Sequence, residues 1–217
     1  MKDKNTFDYL EQLEAIEIPM LKEELVPYAV HKKQGEFTID DYNRFPDEQR
    51  VELIDGIIYD MTAPTYIHQG IAGAIYNIFF NHIRKNKGNC LVFISPADVQ
   101  LDCNNKTMVQ PDVFIICDKN KLKKQVLFGY PDLIVEVLSP STRAKDIHIK
   151  TGKYRLAGVR EYWIVDPMKK QVFVHHFEKG NISSLYTFED KVPVGIWDDK
   201  CAVDFKEIYE YVRFLEE

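Results

Sequence analysis

Apolar positions follow two different periods along this chain, and the places where the period changes mark its elements. From about Ile67 to Lys85 the apolar side chains Ile71, Ile75, Ile78 and Phe79, with His82, form one stripe of a helix. VELIDGIIYDM (51–61) reads instead as two strand segments turning at Asp55-Gly56, a strong hairpin signal. Strands are predicted at 90–101 and 109–117, separated by the turn residues Asn104-Asn105, and at 132–138, where the apolar run is nearly continuous. A helix follows from about Arg143 to Ala157, with Gly158 as its stop. EYWIVDP (161–167) and QVFVHHF (171–177) form a strand pair around a Pro-Met-Lys-Lys turn. Residues 182–205 read as further short strands, and FKEIYEYVRFLEE as a closing helix.

Upstream, Thr38 followed by Asp40 and Asp41 predicts an N-cap with an acidic first turn, opening a short helix that ends near Pro46. Residues 1–35, interrupted by Pro19 and Pro27, read as an N-terminal helical appendage, which leaves residues 36–217 as the main domain. The predicted fold class is α/β, a mixed β-sheet flanked by helices.

One residue breaks the apolar pattern. Glu136 lies among Leu133, Ile134, Val135, Val137 and Leu138, the composition of a strand buried on both faces. An ionised carboxylate there is costly unless a cation or strong donors meet it. Asp112, in QPDVFIICD, opens a second apolar strand and is a natural companion. Two carboxylates ~4 Å apart repel by about 4 kcal/mol at an effective dielectric near 20. A divalent cation removes that repulsion, and Mg²⁺ accepts one or two carboxylates with water and phosphate oxygens.

A lysine two residues beyond Glu136 would share its strand face, but that place holds Leu138. The next helix offers a replacement. Ile147, Lys150, Tyr154 and Ala157 occupy one helical face, which places Lys150 beside the strand unless it merely snorkels. Lys153 is expected to be the solvated lysine of this helix. Metal-assisted phosphodiester hydrolysis is the implied chemistry, with Asp112 and Glu136 as metal ligands and Lys150 orienting the nucleophile or stabilising developing charge. Glu52, at the start of the 51–59 strand, is a candidate third carboxylate or a surface acid. His68 sits near a helix start and is a candidate to face the sheet beside the acids, although a capping or core histidine is the simpler reading. His175 and His176 are strand neighbours and point to opposite faces, so they cannot share a metal. Asp132, Asp146 and Asp166 read as strand ends or caps.

Charge and cysteine usage narrow the classes. The net charge of −6 confines any nucleic-acid footprint to local clusters. The clusters are Arg84, Lys85 and Lys87; residues 119–124; and Arg143, Lys145, Lys150 and Lys153, for which a solvated polar face is the simpler reading. Cys90, Cys103, Cys117 and Cys201 lack CxxC spacing, giving no zinc signature and no reason to expect disulfides. With no signal-peptide pattern at the N-terminus and no long apolar run, a reducing, cytoplasmic location is expected. No GxxxxGK[ST] segment is present, which removes a phosphate-cradling NTPase loop.

Taken in order, ELIDG (52–56), the helix led by His68, QPD (110–112), IVEVLSPST with Asp146, Lys150 and Tyr154, and GVREYWIVDP (158–167) resemble the Uma-type restriction endonucleases. That group belongs to the PD-(D/E)xK phosphodiesterase superfamily. The resemblance spans about residues 36–205. It implies a restriction-endonuclease-like core, Mg²⁺ (or Mn²⁺ as substitute), a DNA substrate and pairing as a homodimer. By the same resemblance Asp112 takes the PD aspartate position and Glu136 the (D/E) position. Lys150 takes that of a lysine displaced onto the next helix, and Glu52 an acid of the N-terminal motif. Two other expectations compete with a DNA endonuclease: a catalytically inactive nuclease fold used for binding or assembly, and a hydrolase of RNA or a small nucleotide.

Overall fold

A computed structural model describes residues 32–216, apart from 47, 102 and 103. The chain divides into two units, residues 1–32 and residues 33–217. Residues 1–31 of the expected appendage lie outside the described residues.

The second unit begins with a single helical turn, α1 (Ile39–Tyr42), opened by Thr38, whose N–H donates to Asp41 Oδ2 at 2.8 Å. The hairpin β1 (Val51–Ile54) and β2 (Ile57–Asp60) follows. Its two-residue loop, Asp55-Gly56, has both φ angles positive, the geometry that matches strand twist in a tight hairpin. Gly56 is also required sterically, because a Cβ there would lie 2.4 Å from the Gly35 carbonyl oxygen. The long helix α2 (Tyr66–Lys85) buries Ile71, Ala72, Ile75 and Phe79, as its stripe predicts.

A six-stranded mixed sheet forms the centre. It contains β3 (Leu91–Ile94), β5 (Val113–Ile116), β8 (Leu133–Val137), β9 (Glu161–Asp166), β10 (Gln171–His176) and β11 (Ile182–Thr187), in the spatial order β11-β10-β9-β8-β5-β3. Only the β8–β9 pairing is parallel. Its crossover is the segment that carries Lys150. This segment starts as a π-turn over Lys145–Lys150 and continues as α3 (Thr151–Ala157), ending at Gly158 with φ 101°. A small sheet of β4 (Asp98–Gln100), β6 (Leu122–Lys123) and β7 (Val126–Phe128) flanks the centre, and β12 (Lys191–Pro193) pairs with β13 (Ala202–Asp204). The helix α4 (Phe205–Val212) closes the unit.

Alternation along the strands sends one set of side chains to each face. Val113, Ile115, Leu133, Val135, Val137, Trp163 and Val165 pack with α2 and α4 in one apolar cluster. The edge of Phe79 meets Trp163 at 5.9 Å between centroids. Truncating such a buried aromatic costs about 3–5 kcal/mol. The other face holds Ile134, Glu136, Tyr162 and Ile164, and Tyr154 of α3 packs on it edge-on to Tyr162.

Three expectations need correction. The strand predicted at 90–101 is two strands, β3 and β4, which belong to different sheets. Ser95-Pro96-Ala97 intervenes, and a proline has no N–H to continue the ladder. The strand predicted at 109–117 pairs regularly only from Val113, while Met108 and Val109 form isolated bridges to Leu53 and Val99. Finally, Cys90 and Cys117 are joined in a disulfide. They stand opposite one another in the β3–β5 register, one step beyond Leu91 and Ile116, a proximity that a separation of 27 residues conceals.

Candidate active site

In the β5–β8 register Val113 faces Val135, so the next pair outward is Asp112 opposite Glu136. Directly opposed residues of an antiparallel pair share a face and keep their Cβ atoms about 4.5–5.5 Å apart. Because Val113, Val135 and Val137 face α2, the two acids project from the other side. The backbone fixes both: Val137 N–H donates to Asp112 Oδ2 at 2.7 Å, and Asp112 N–H donates weakly to Glu136 Oε2 at 3.4 Å.

The π-turn brings the cations. In an i→i+5 turn, residues five apart stack on one side, and Lys145 and Lys150 are five apart. The Lys150 ammonium, 3% exposed, reaches Glu136 Oε1 and Glu52 Oε1 at 2.8 Å each and Asp146 Oδ1 at 3.2 Å. Lys145 binds Glu52 Oε2 at 2.5 Å. Glu52 is completely buried on β1 and also accepts from the Gln110 N–H at 3.0 Å. Tyr154 donates its hydroxyl to Glu136 Oε1 at 2.6 Å, and Tyr162 donates to the Asp146 carbonyl at 3.0 Å.

His68 belongs to the same cluster. Thr65 caps α2 and accepts from the His68 N–H, which sets the ring at the first turn of the helix. Its Nε2 lies 3.0 Å from Asp112 Oδ2, while the buried Nδ1 meets no hydrogen-bond partner among the described residues. Burial opposes protonation of the ring, but the bond and charge of Asp112 outweigh it and raise its pKa.

The electrostatics are unbalanced. Four carboxylates (Glu52, Asp112, Glu136, Asp146) face two lysines (Lys145, Lys150) and one histidine. Burial works against ionising Glu52, yet Lys150 and Lys145 together hold it down at about 2. Glu136 goes the other way. Burial, reinforced by Asp146, Asp112 and Glu52, overcomes Lys150 and raises it to about 8. Burial also disfavours the Lys150 charge, but Glu136 and Glu52 prevail and push its pKa well up, so Lys150 is a fixed cation and not a proton carrier.

The structure thus brings together the predicted residues Asp112, Glu136, Lys150 and Glu52, and adds His68, whose role the sequence left open. It also adds residues that were read otherwise. Lys145 and Lys150 are buried, which corrects the solvated reading of their cluster. Asp146, expected as a cap, is 3% exposed and faces Lys150. Its i, i+4 spacing to Lys150 was the available signal. Asp132 and Asp166 do sit at strand ends, bound to Arg160 and Arg143. His175 and His176 point apart: His175 bonds Ser183 at 2.8 Å and stacks on Tyr162, whereas the His176 imidazole lies beside Gly195 and Glu161. Lys153, expected to be solvated, keeps only 16% of its side chain exposed and pairs with Asp55 at 2.8 Å.

The donor set fits a hard dication. Among the described residues no three His, Cys, Asp or Glu side chains converge to cage an ion. Two opposed carboxylates suit a cation that takes one or two carboxylates and keeps much of its water, as Mg²⁺ does. Asp112 and Glu136 offer oxygens from opposed positions, and the Asp112 side chain is the more open, at 16% exposure. Asp146 Oδ1 lies within ion-pair range of Lys150 but is too poorly aligned to be hydrogen bonded, leaving a buried oxygen unsatisfied.

A mixed sheet with paired acids on one face and an inward lysine from the crossover helix defines a restriction-endonuclease-like α/β protein. The family Uma2, "Putative restriction endonuclease", matches residues 39–194, and the chain belongs to it. It is 32% identical over 143 residues to "Uncharacterized protein slr1290" of Synechocystis sp. (strain ATCC 27184 / PCC 6803 / Kazusa), a match covering 63% of this chain and 72% of the relative. In fold it is similar to a "putative nuclease belonging to DUF820" from Anabaena variabilis ATCC 29413. The TM-score is 0.68 at 18% identity, over 81% of this chain and 99% of the other.

Proposed function

We propose that this protein is a Mg²⁺-dependent endonuclease that hydrolyses phosphodiester bonds in DNA, with Asp112 and Glu136 as the metal ligands. The observation that carries this reading is the direct opposition of those two carboxylates on β5 and β8, in a cluster with more acids than cations. A bound Mg²⁺ would polarise a phosphate oxygen and acidify a coordinated water. The protein's own residues do the rest. Lys150 holds the carboxylates of Glu136 and Glu52 in place with permanent charge, and Tyr154 donates to the same Glu136 oxygen that Lys150 meets. Glu52 serves as the anchor for both lysines, and His68 orients Asp112.

The test compares supercoiled plasmid cleavage by the native protein and by Asp112→Asn, in Mg²⁺ and in chelator. Cleavage that needs both Mg²⁺ and Asp112 is expected, with the variant's thermal midpoint near that of the native chain because Asp112 is partly exposed. Metal-independent cleavage, or equal cleavage by the variant, refutes the assignment.

A second reading is supported by the same cluster. Lys150 already bridges Glu136, Glu52 and Asp146, which is the neutralising work of a metal, and an inactive binding module would need nothing more. Calorimetric titration with Mg²⁺ separates the two, since the inactive module predicts no binding that depends on Asp112. Pairing as a homodimer, which would help an acidic chain assemble a basic cleft, is tested by light scattering on the eluted protein.

A further inference from the structure

The cations at the centre of the site are spent on its own acids. Lys150 meets three carboxylates, Lys145 meets Glu52, and His68 meets Asp112. A phosphodiester approaching Asp112 and Glu136 therefore finds net negative charge unless another cation receives it. The candidate is Arg50. It immediately precedes β1, where its carbonyl accepts from the Met61 N–H and so extends the hairpin ladder. Arg50 and Glu52 are two apart, so the guanidinium leaves the strand on the side that sends Glu52 into the site.

Two further links tie Arg50 to the acids. Its Nη2 donates to Ser95 Oγ and to Gln110 Oε1, both at 3.0 Å. Ser95 stands opposite Asp112, with its N–H on the Asp112 carbonyl at 2.9 Å. Gln110 precedes Asp112 by two residues, and its backbone N–H holds Glu52. The guanidinium is thus fixed by neutral oxygens of Ser95 and Gln110, the residues that flank Asp112 across the strand pair and along its own chain. Among the described residues no carboxylate pairs with it, and its buried Nε has no acceptor. The acid in its neighbourhood, Asp98, is one step removed, accepting from Gln110 Nε2 at 2.9 Å and from the Tyr42 hydroxyl at 2.9 Å. Gln110 is consequently oriented with its carbonyl toward Arg50, which makes the arginine's position a consequence of a wider network.

We infer that Arg50 is the phosphate-binding residue of this site, presenting its uncompensated guanidinium to a backbone phosphate of the nucleic acid next to Asp112 and Glu136. This rests on the nuclease reading. A planar guanidinium held by two neutral acceptors still has donors for a phosphate, and charge-assisted bonds of this kind are the strong ones.

The test measures binding of a fluorescent DNA duplex in Mg²⁺ by anisotropy, within seconds of mixing, over a series of salt concentrations. Arg50→Gln removes the charge but keeps an amide able to donate to Ser95 or Gln110, and Arg50→Lys keeps the charge. The Gln variant is expected to bind roughly tenfold more weakly and to lower the salt slope by about one. The Lys variant should recover the slope. A slope unchanged in Arg50→Gln overturns the inference while leaving the nuclease reading standing. Native protein that binds no DNA overturns both. Thermal midpoints decide whether a loss is structural: if Arg50→Gln and Arg50→Lys lose binding and stability equally, Arg50 is a strut between β1 and Ser95, and the inference fails.

Discussion

Replacing Glu136 by Gln separates the shape of the site from its charge. The amide keeps an oxygen to accept from Lys150 and Tyr154, which meet Glu136 Oε1 at 2.8 and 2.6 Å, but it cannot take up a proton. In the native protein, burial, with Asp146, Asp112 and Glu52 adding to it against Lys150, raises this carboxyl from 4.5 to about 8. A carboxyl raised on folding binds its proton more tightly in the folded chain. Its contribution is therefore fully present below about pH 4.5 and is lost as pH climbs through about 8. At about 1.4 kcal/mol per pH unit the loss approaches 5 kcal/mol in a dry pocket, and less if water enters. Urea unfolding in chelator, followed by tryptophan fluorescence, reads this directly. Between about pH 5 and pH 8.5 the native protein should lose several kcal/mol relative to Glu136→Gln, which carries no such proton. Saturating Mg²⁺ should flatten the native profile, because the ion needs the ionised carboxylate. Parallel pH profiles for the two proteins in chelator would refute the charge imbalance on which the metal site is argued.

Other consequences can be measured separately. Lys150→Met leaves three carboxylates facing one another and should cost about 3–5 kcal/mol in urea unfolding, as expected when one partner of a buried ion pair is removed. Lys150→Arg, which keeps the charge, should recover part of that loss. Tyr154→Phe removes the hydroxyl that locks Glu136 and should cost about 1–3 kcal/mol and weaken calorimetric Mg²⁺ binding; an unchanged metal affinity would show that the lock is irrelevant. Cysteine mapping by mass spectrometry should find Cys90 linked to Cys117, and reduction should lower unfolding free energy by about 3 kcal/mol for a loop of this length.

Glu136 was legible because an acid in an aliphatic run violates the pattern around it, and burial makes that violation expensive. Asp112 was legible for a related reason, standing at the mouth of a second such run. Lys150 could be placed because the helix after β8 has one apolar face and the lysine lies on it. The reading failed where tertiary contact decides. Lys145 and Arg143 look alike in sequence, yet the π-turn over 145–150 buries Lys145 against Glu52 and leaves Arg143 on Asp166 at a strand end. No local periodicity announces a π-turn, since it adds one residue to a turn that otherwise reads as α. Cys90 and Cys117 meet only because β3 and β5 are adjacent, and the break at Ser95-Pro96 had been absorbed into one long strand. Arg50 was passed over as a residue before a strand, although its two-residue spacing from Glu52 was visible.

The displaced lysine has a consequence for the whole site. Leu138, two residues beyond Glu136, lies past the end of β8 and is 6% exposed, so the strand itself supplies no cation. Lys150 arrives from the crossover helix instead and is surrounded by acids before any substrate enters. Its charge shapes the carboxylates but is not left over for a phosphate. A polyanion should then be repelled by this cluster, and more so by a chain of net charge −6. Within the site, we propose that attraction comes from groups whose charge the cluster does not cancel: a dication on Asp112 and Glu136, and the guanidinium of Arg50. On this argument metal binding and substrate binding are coupled through charge, and a variant that loses the ion should lose affinity for DNA together with cleavage.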